Sequence, residues 1–62
     1  MIYENVKALC EKKGMSIKEL EEKAKLGNGT VGKWQKGVKP NIAILERVAE
    51  VLGVKVVTLI KE

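Results

Sequence analysis

The sequence predicts an all-α fold of five short helices, one small domain over residues 1–62, and three observations lead there. Apolar residues return every three or four positions along most of the chain. Glycines at 14, 37 and 53 close such stretches, and helix-starting residues such as Ser16 and Asn41 open the next ones. Only residues 54–62 are rich enough in β-branched side chains to compete as a strand.

In the first helix, Ile2, Val6, Leu9 and Lys13 form one stripe with Cys10 beside it, and Gly14 ends it. Lys12 and Lys13 occupy its last turn, where the negative end of the peptide dipoles favours cations. The second helix opens with a capping box, Ser16 and Glu19, and with a staple, Met15 and Leu20. Its buried stripe is Ile17, Leu20 and Ala24, and it stops near Lys25, because Leu26-Gly27-Asn28-Gly29 favours a tight turn. A third helix is expected from about Asn28 to Lys36, ending at Gly37. Val38-Lys39-Pro40 links it to a fourth, capped by Asn41, with a stripe of Ile42, Leu45, Val48, Ala49 and Leu52 and a stop at Gly53. Val56, Leu59 and Ile60 fit one face of a helix, so the last stretch reads as a short fifth helix.

A chain of 62 residues removes only about 60% of its unfolded surface from water, so helix packing, with help from a second copy, has to stabilise it. With one cysteine and no histidine, the sequence offers no disulfide framework and no zinc set. No metal and no cofactor is expected. Ser16 has no histidine to activate it as a nucleophile, and Cys10 none to depress its pKa, so no catalytic residue is proposed. Met1-Ile2-Tyr3-Glu4-Asn5 does not read as a signal peptide, and the run Val56-Val57-Thr58-Leu59-Ile60 is far short of the ~20 residues a membrane helix needs. A soluble, cytoplasmic chain is expected, with neither a membrane nor a small-molecule ligand as partner.

The third helix carries the functional signal. Val31 and Trp34 lie on one side, with Leu26 leading in, and suit a core. Asn28, Gly29, Gly32, Lys33 and Lys36 lie on the other. Residues 23–45 hold five lysines (Lys23, Lys25, Lys33, Lys36, Lys39) and no acid, so the net +4 is concentrated there. Such a surface is the electrostatic footprint of nucleic-acid binding. Gly29 and Gly32 each cost the helix about 1 kcal/mol relative to alanine, which points to close approach of a ligand to the backbone.

The chain resembles the phage lambda repressor and Cro-like (Xre family) regulators over nearly its whole length. The resemblance is carried by Asn5-Val6, Leu9, Gly14-Met15-Ser16, Leu20, Leu26, Thr30-Val31, Lys33-Trp34, Gly37, Pro40, Leu45, Val48-Ala49, Leu52-Gly53-Val54 and Leu59. The segment Gly27–Trp34 looks like a variant found in phage and prophage repressors of low-GC Gram-positive bacteria. The resemblance implies a five-helix domain whose third helix enters the major groove of double-stranded DNA. It implies base reading by Asn28, Gly29, Thr30 and Lys33, and backbone contacts from Ser16, Ile17, Gly32, Lys36, Lys39 and Asn41.

Three departures from the commoner family pattern stand out. Many members carry arginine at the position of Cys10 and glutamate at that of Gln35, an ion pair that is absent here as a unit. Lys25 stands where the turn normally has glycine and is expected to take a positive φ, at about 1–2 kcal/mol. Glu21 stands where a small residue usually lets helices two and three approach, so that contact is expected to be looser. Glycine at 29 and 32 removes two potential reading side chains, so DNA shape is expected to contribute more than usual. A homodimer on a pseudo-palindromic operator is expected, its contact built by Val54, Val57 and Ile60. The other function class is a protein-binding module, such as an antitoxin or a phage accessory factor, built on the same fold.

Overall fold

Five helices make up the chain in the computed structural model, which describes residues 2–61. They are α1 (Ile2–Lys12), α2 (Ile17–Lys23), α3 (Thr30–Gln35), α4 (Ile42–Leu52) and α5 (Val56–Ile60). No strand occurs among the described residues.

The first four helices end the same way. One residue turns left-handed, and the N–H of the next reaches back five positions: Met15 to Cys10 O (2.9 Å), Leu26 to Glu21 O (2.7 Å), Val38 to Lys33 O (3.2 Å) and Val54 to Ala49 O (3.0 Å). This is the Schellman closure, which satisfies carbonyls that a helix end would leave bare. The left-handed residues are Gly14, Gly37, Gly53 and, at φ 59°, Lys25. The positive φ expected of Lys25 is therefore present, on a side chain that disfavours it.

Helix starts follow local chemistry at two places. Ser16 Oγ accepts from Glu19 N (3.1 Å) while Glu19 Oε1 accepts from Ser16 N (3.3 Å), the reciprocal capping box. Asn41 Oδ1 accepts from Ile44 N at 2.9 Å and so caps α4.

The core gathers Val6 and Cys10 from α1, Leu20 from α2 with Ala24 just beyond it, and Val31 and Trp34 from α3. Leu45, Val48, Ala49 and Leu52 of α4 and Leu59 of α5 complete it. Helix α1 packs on α2, α3 and α5; α2 packs on α3 and α4; α4 packs on α5. Where the ion pair of the commoner pattern is missing, Cys10 is buried and Gln35 exposed, and α1 meets α3 through apolar contact. Asn5 Nδ2 donates to the carbonyls of Leu59 (2.8 Å) and Lys61, tying the start of α1 to the end of α5.

Two expectations are corrected, the bounds of α3 and the burial of Ile42. Helix α3 starts at Thr30, with Asn28 and Gly29 in the turn before it, and Lys36 is its C-cap. Ile42 is 62% exposed: its spacing matches the stripe, but the first turn of α4 extends past the core, and Ile44 packs there instead. Val54 is half-buried against the core, because it follows the left-handed Gly53 as the apolar residue of a Schellman closure. Of the residues expected at a subunit contact, Val57 (59%) and Ile60 (46%) are the exposed ones. Ile60 thus leaves the α5 face on which Leu59 is buried.

Candidate nucleic-acid interface

Helix α3 has a buried underside and an open upper side. Val31 is fully buried and Trp34 is 5% exposed, which excludes the indole from stacking on a base in this conformation. Asn28, Gly29, Lys33 and Lys36 are exposed, and Thr30 and Gly32 are half-buried. Lys33 and Lys36 sit three residues apart on one face of the helix, and Lys39 follows, exposed, in the link to α4. Lys23 and Lys25 are placed differently. They line a shallow hollow with Arg47, Glu50 and Val51 of α4, so the acid-free stretch of sequence is divided in space and an acid joins part of it.

The two glycines of α3 differ. Gly29, the N-cap, has φ 81°, a conformation that side-chain-bearing residues avoid, so its identity is explained by the backbone and not by a ligand. Gly32 is helical and a Cβ there would meet nothing within 4 Å. The fold gives no reason for glycine at 32, and the expectation of close approach from outside rests on that residue alone.

A glycine N-cap has no side chain with which to cap, and the missing acceptor comes from α2. Glu21, 4% exposed, accepts from Val31 N through Oε2 (2.8 Å) and from Gly29 N through Oε1 (3.3 Å). A carboxylate buried without partners is costly. Here two amide donors and the positive end of the α3 dipole surround it, each charge-assisted bond being worth about 1.5–3 kcal/mol. The glutamate expected to hold α2 and α3 apart instead joins them. Thr30 braces the same turn, its Oγ1 donating to Gly27 O at 2.7 Å, which commits the hydroxyl proton while leaving lone pairs open.

The residues expected at the phosphate backbone fall on several elements. Ser16 and Ile17 start α2, with Ser16 exposed and Ile17 packed partly on the core. The Ser16 N–H is already bonded to Glu19. Asn41 is exposed, with its oxygen used by the α4 cap.

A helix, a tight turn and a second helix with a polar outer face thus occupy residues 17–35. A family model described as helix-turn-helix, of the Cro/C1 type, matches residues 6–59. The chain belongs to the Cro/C1-type helix-turn-helix family. Comparison with curated proteins and with solved structures returned no significant match. At the level of this family the chain is a DNA-binding transcription regulator, and the family is a DNA-binding one, not a catalytic one. Among the described residues no cluster of acids and cysteine has the makings of a metal site, and no helix is long and apolar enough to cross a membrane.

Two residues that matter to this helix-turn-helix escaped sequence reasoning. Asn5 stands among the residues that carry the resemblance, but its bonding role gave no local signal, because its partners lie more than fifty positions away. Glu21 did give one. Ile17, Leu20, Glu21 and Ala24 have the i, i+3, i+4, i+7 spacing of a buried stripe, so an acid at 21 needs donors, and a glycine-capped helix beginning nearby has them free.

Proposed function

We propose that this chain is a sequence-specific double-stranded DNA-binding repressor that acts as a homodimer on a pseudo-palindromic operator. The observation that carries the reading is the division of α3: Val31 and Trp34 are buried while Asn28, Lys33 and Lys36 stand exposed, and the Cβ direction of Gly32 is open. An exposed amide and an ammonium at the leading end of a recognition helix match the two-pronged contact to adenine and the contact to guanine O6/N7. Gly29 and Thr30 bring backbone and hydroxyl to the same edge, and Gly32 lets the groove wall come close. Ser16, Ile17, Lys36, Lys39 and Asn41 hold the phosphates on either side, and occupancy of the operator excludes polymerase.

The Cα frame of one chain extends 24 Å along its longest axis and presents one α3. Reading two successive major grooves, roughly 34 Å apart, takes two copies related by a two-fold axis. Val57 and Ile60, exposed and apolar on α5, are the residues available for that contact. Replacing both with lysine tests it by sedimentation. Truncation before α5 would not, because Leu59 is fully buried.

Selection of bound sequences from a random duplex library, followed by a salt titration, tests the reading. With Lys36 and Lys39 on phosphate in each of two subunits, log K falls against log[salt] with a slope of about −4. A second reading, a protein-binding module of the antitoxin or phage-accessory kind, is favoured by an apolar groove. Ile2, Tyr3, Trp34, Val38, Pro40 and Ile60 line this groove of about 440 Å³. A flat salt slope and no selected sequence would support it over DNA reading.

A further inference from the structure

Helix α3 carries the proposed readers yet spans only six residues, with a glycine N-cap that makes no side-chain cap bond and a second glycine inside it. A helix of that length does not hold itself together in water, so its placement is imposed from outside. Apolar burial of Val31 and Trp34 decides which face points down, but such contact is non-directional and leaves the helix free to slide along its axis. The directional restraint that ties its leading end to α2 is the pair of hydrogen bonds that Glu21 accepts from Gly29 N and Val31 N.

The arrangement is a capping box supplied by one residue of another helix. In the box that opens α2, Ser16 accepts from the amide three residues on and Glu19 accepts from the N-cap amide. At α3 the two oxygens of Glu21 divide those tasks: Oε1 takes the amide of the N-cap, Gly29, and Oε2 takes the amide of Val31, two residues into the helix. The link between α2 and α3 is thereby polar, charged and sensitive to position. Asn28 adjoins one bonded amide and Lys33 follows the other by two residues, and sites that recognise by hydrogen bonding tolerate only about 0.5 Å of error in such groups.

We propose that Glu21 is the positioning residue of DNA readout: its buried carboxylate fixes the leading end of α3, and through it the placement of Asn28 and Lys33 against base edges. At 4% exposure it does so without touching DNA itself. The proposal rests on the DNA-binding reading above. A glutamate that served stability alone would scale all DNA binding with the folded fraction. A positioning glutamate changes the ratio between a cognate and a scrambled duplex in fully folded protein.

The test uses the full chain as wild type, Glu21→Gln and Glu21→Ala, at a temperature where circular dichroism shows all three folded. Affinity is measured for the duplex selected by the wild type and for a scrambled one of equal composition. Amide resonances of the free proteins are recorded alongside. Glutamine keeps the size but loses the charge and turns an NH2 toward one of the two amides. Both variants should lose roughly tenfold on the selected duplex, about the worth of one base contact, and less than about twofold on the scrambled one. The Gly29 and Val31 amide protons should shift in both.

Unshifted amides would overturn the tie whatever the DNA data say. Shifted amides with equal losses on both duplexes, or with none, would overturn the positioning role. Shifted amides in a chain whose wild type does not distinguish the duplexes would show instead that the DNA reading failed, and the proposed readout with it. Should both variants unfold, the wild type alone decides. Its Gly29 and Val31 amides must show through-hydrogen-bond couplings to the Glu21 carboxyl carbon, and amides without them refute the proposal.

Discussion

Asn5, in the first turns of α1, donates a 2.8 Å hydrogen bond to the carbonyl of Leu59, whose side chain is the fully buried residue of α5. The same amide nitrogen also reaches Lys61 O, so one side chain satisfies carbonyls at the end of a helix only five residues long. Asn5→Ala is expected to cost about 1–3 kcal/mol, since the part-buried acceptor is left without its donor. Urea unfolding followed by the emission of Trp34, the one tryptophan, measures the loss.

Gly32→Ala separates stability from binding. The added methyl meets nothing in the free protein and removes a helix-interior glycine, so the variant should be more stable by about 1 kcal/mol. If the groove wall approaches α3 at this point, operator affinity falls at the same time. A stabilised variant with unchanged affinity would place the DNA elsewhere.

Lys25→Gly should raise stability by roughly 1 kcal/mol, or several degrees in melting temperature. Three of the four Schellman closures already have glycine at the left-handed position, and only the turn inside the helix-turn-helix carries a side chain there. Thermal melts of the two proteins side by side decide the matter, and an unchanged midpoint contradicts the expectation.

Lys33→Ala and Lys39→Ala should differ in kind. The first is expected to weaken the selected duplex far more than random DNA, and the second to weaken both about equally, with a shallower salt slope. Equal losses for Lys33→Ala would assign it to phosphate.

The thiol of Cys10 gives a pH prediction. Burial, with a smaller contribution from the charge of Glu11, raises its pKa above the ordinary 9.0. As pH climbs past that value the unfolded chain releases the thiol proton while the folded chain keeps it. The unfolded state then binds fewer protons, and stability falls with rising pH. Cys10→Ala should lack this component between about pH 8 and 10 in denaturant titrations. Alkylation of Cys10 in the wild type at neutral pH should be limited by opening of the fold.

What could be read from the chain and what could not differ in the range of the interactions involved. The stops at Gly14, Gly37 and Gly53 and the starts at Ser16 and Asn41 depend on partners within a few residues, and they stand where local chemistry places them. The same holds for the inward turn of Val31 and Trp34, which spacing alone indicates. Ile42 fits the stripe by spacing yet stands exposed, because periodicity does not say where a core ends. A glycine at 29 suggests room for a ligand when only its propensity is considered, whereas its φ of 81° is a demand of the turn itself. Glu21 was read as an obstacle because a stripe of side chains does not reveal unsatisfied amides on a neighbouring helix.

That last arrangement separates two duties that a recognition helix commonly combines. In α3 the anchoring acid sits on the preceding helix, out of reach of the groove, so positions 28, 30 and 33 do not supply the acceptor that starts the helix. A randomised library at positions 28 and 33, with Glu21 and the bracing Thr30 held constant, keeps its scaffold while its target preference drifts. The domain is thereby well suited to being retuned, in evolution or in the laboratory, from one operator to another.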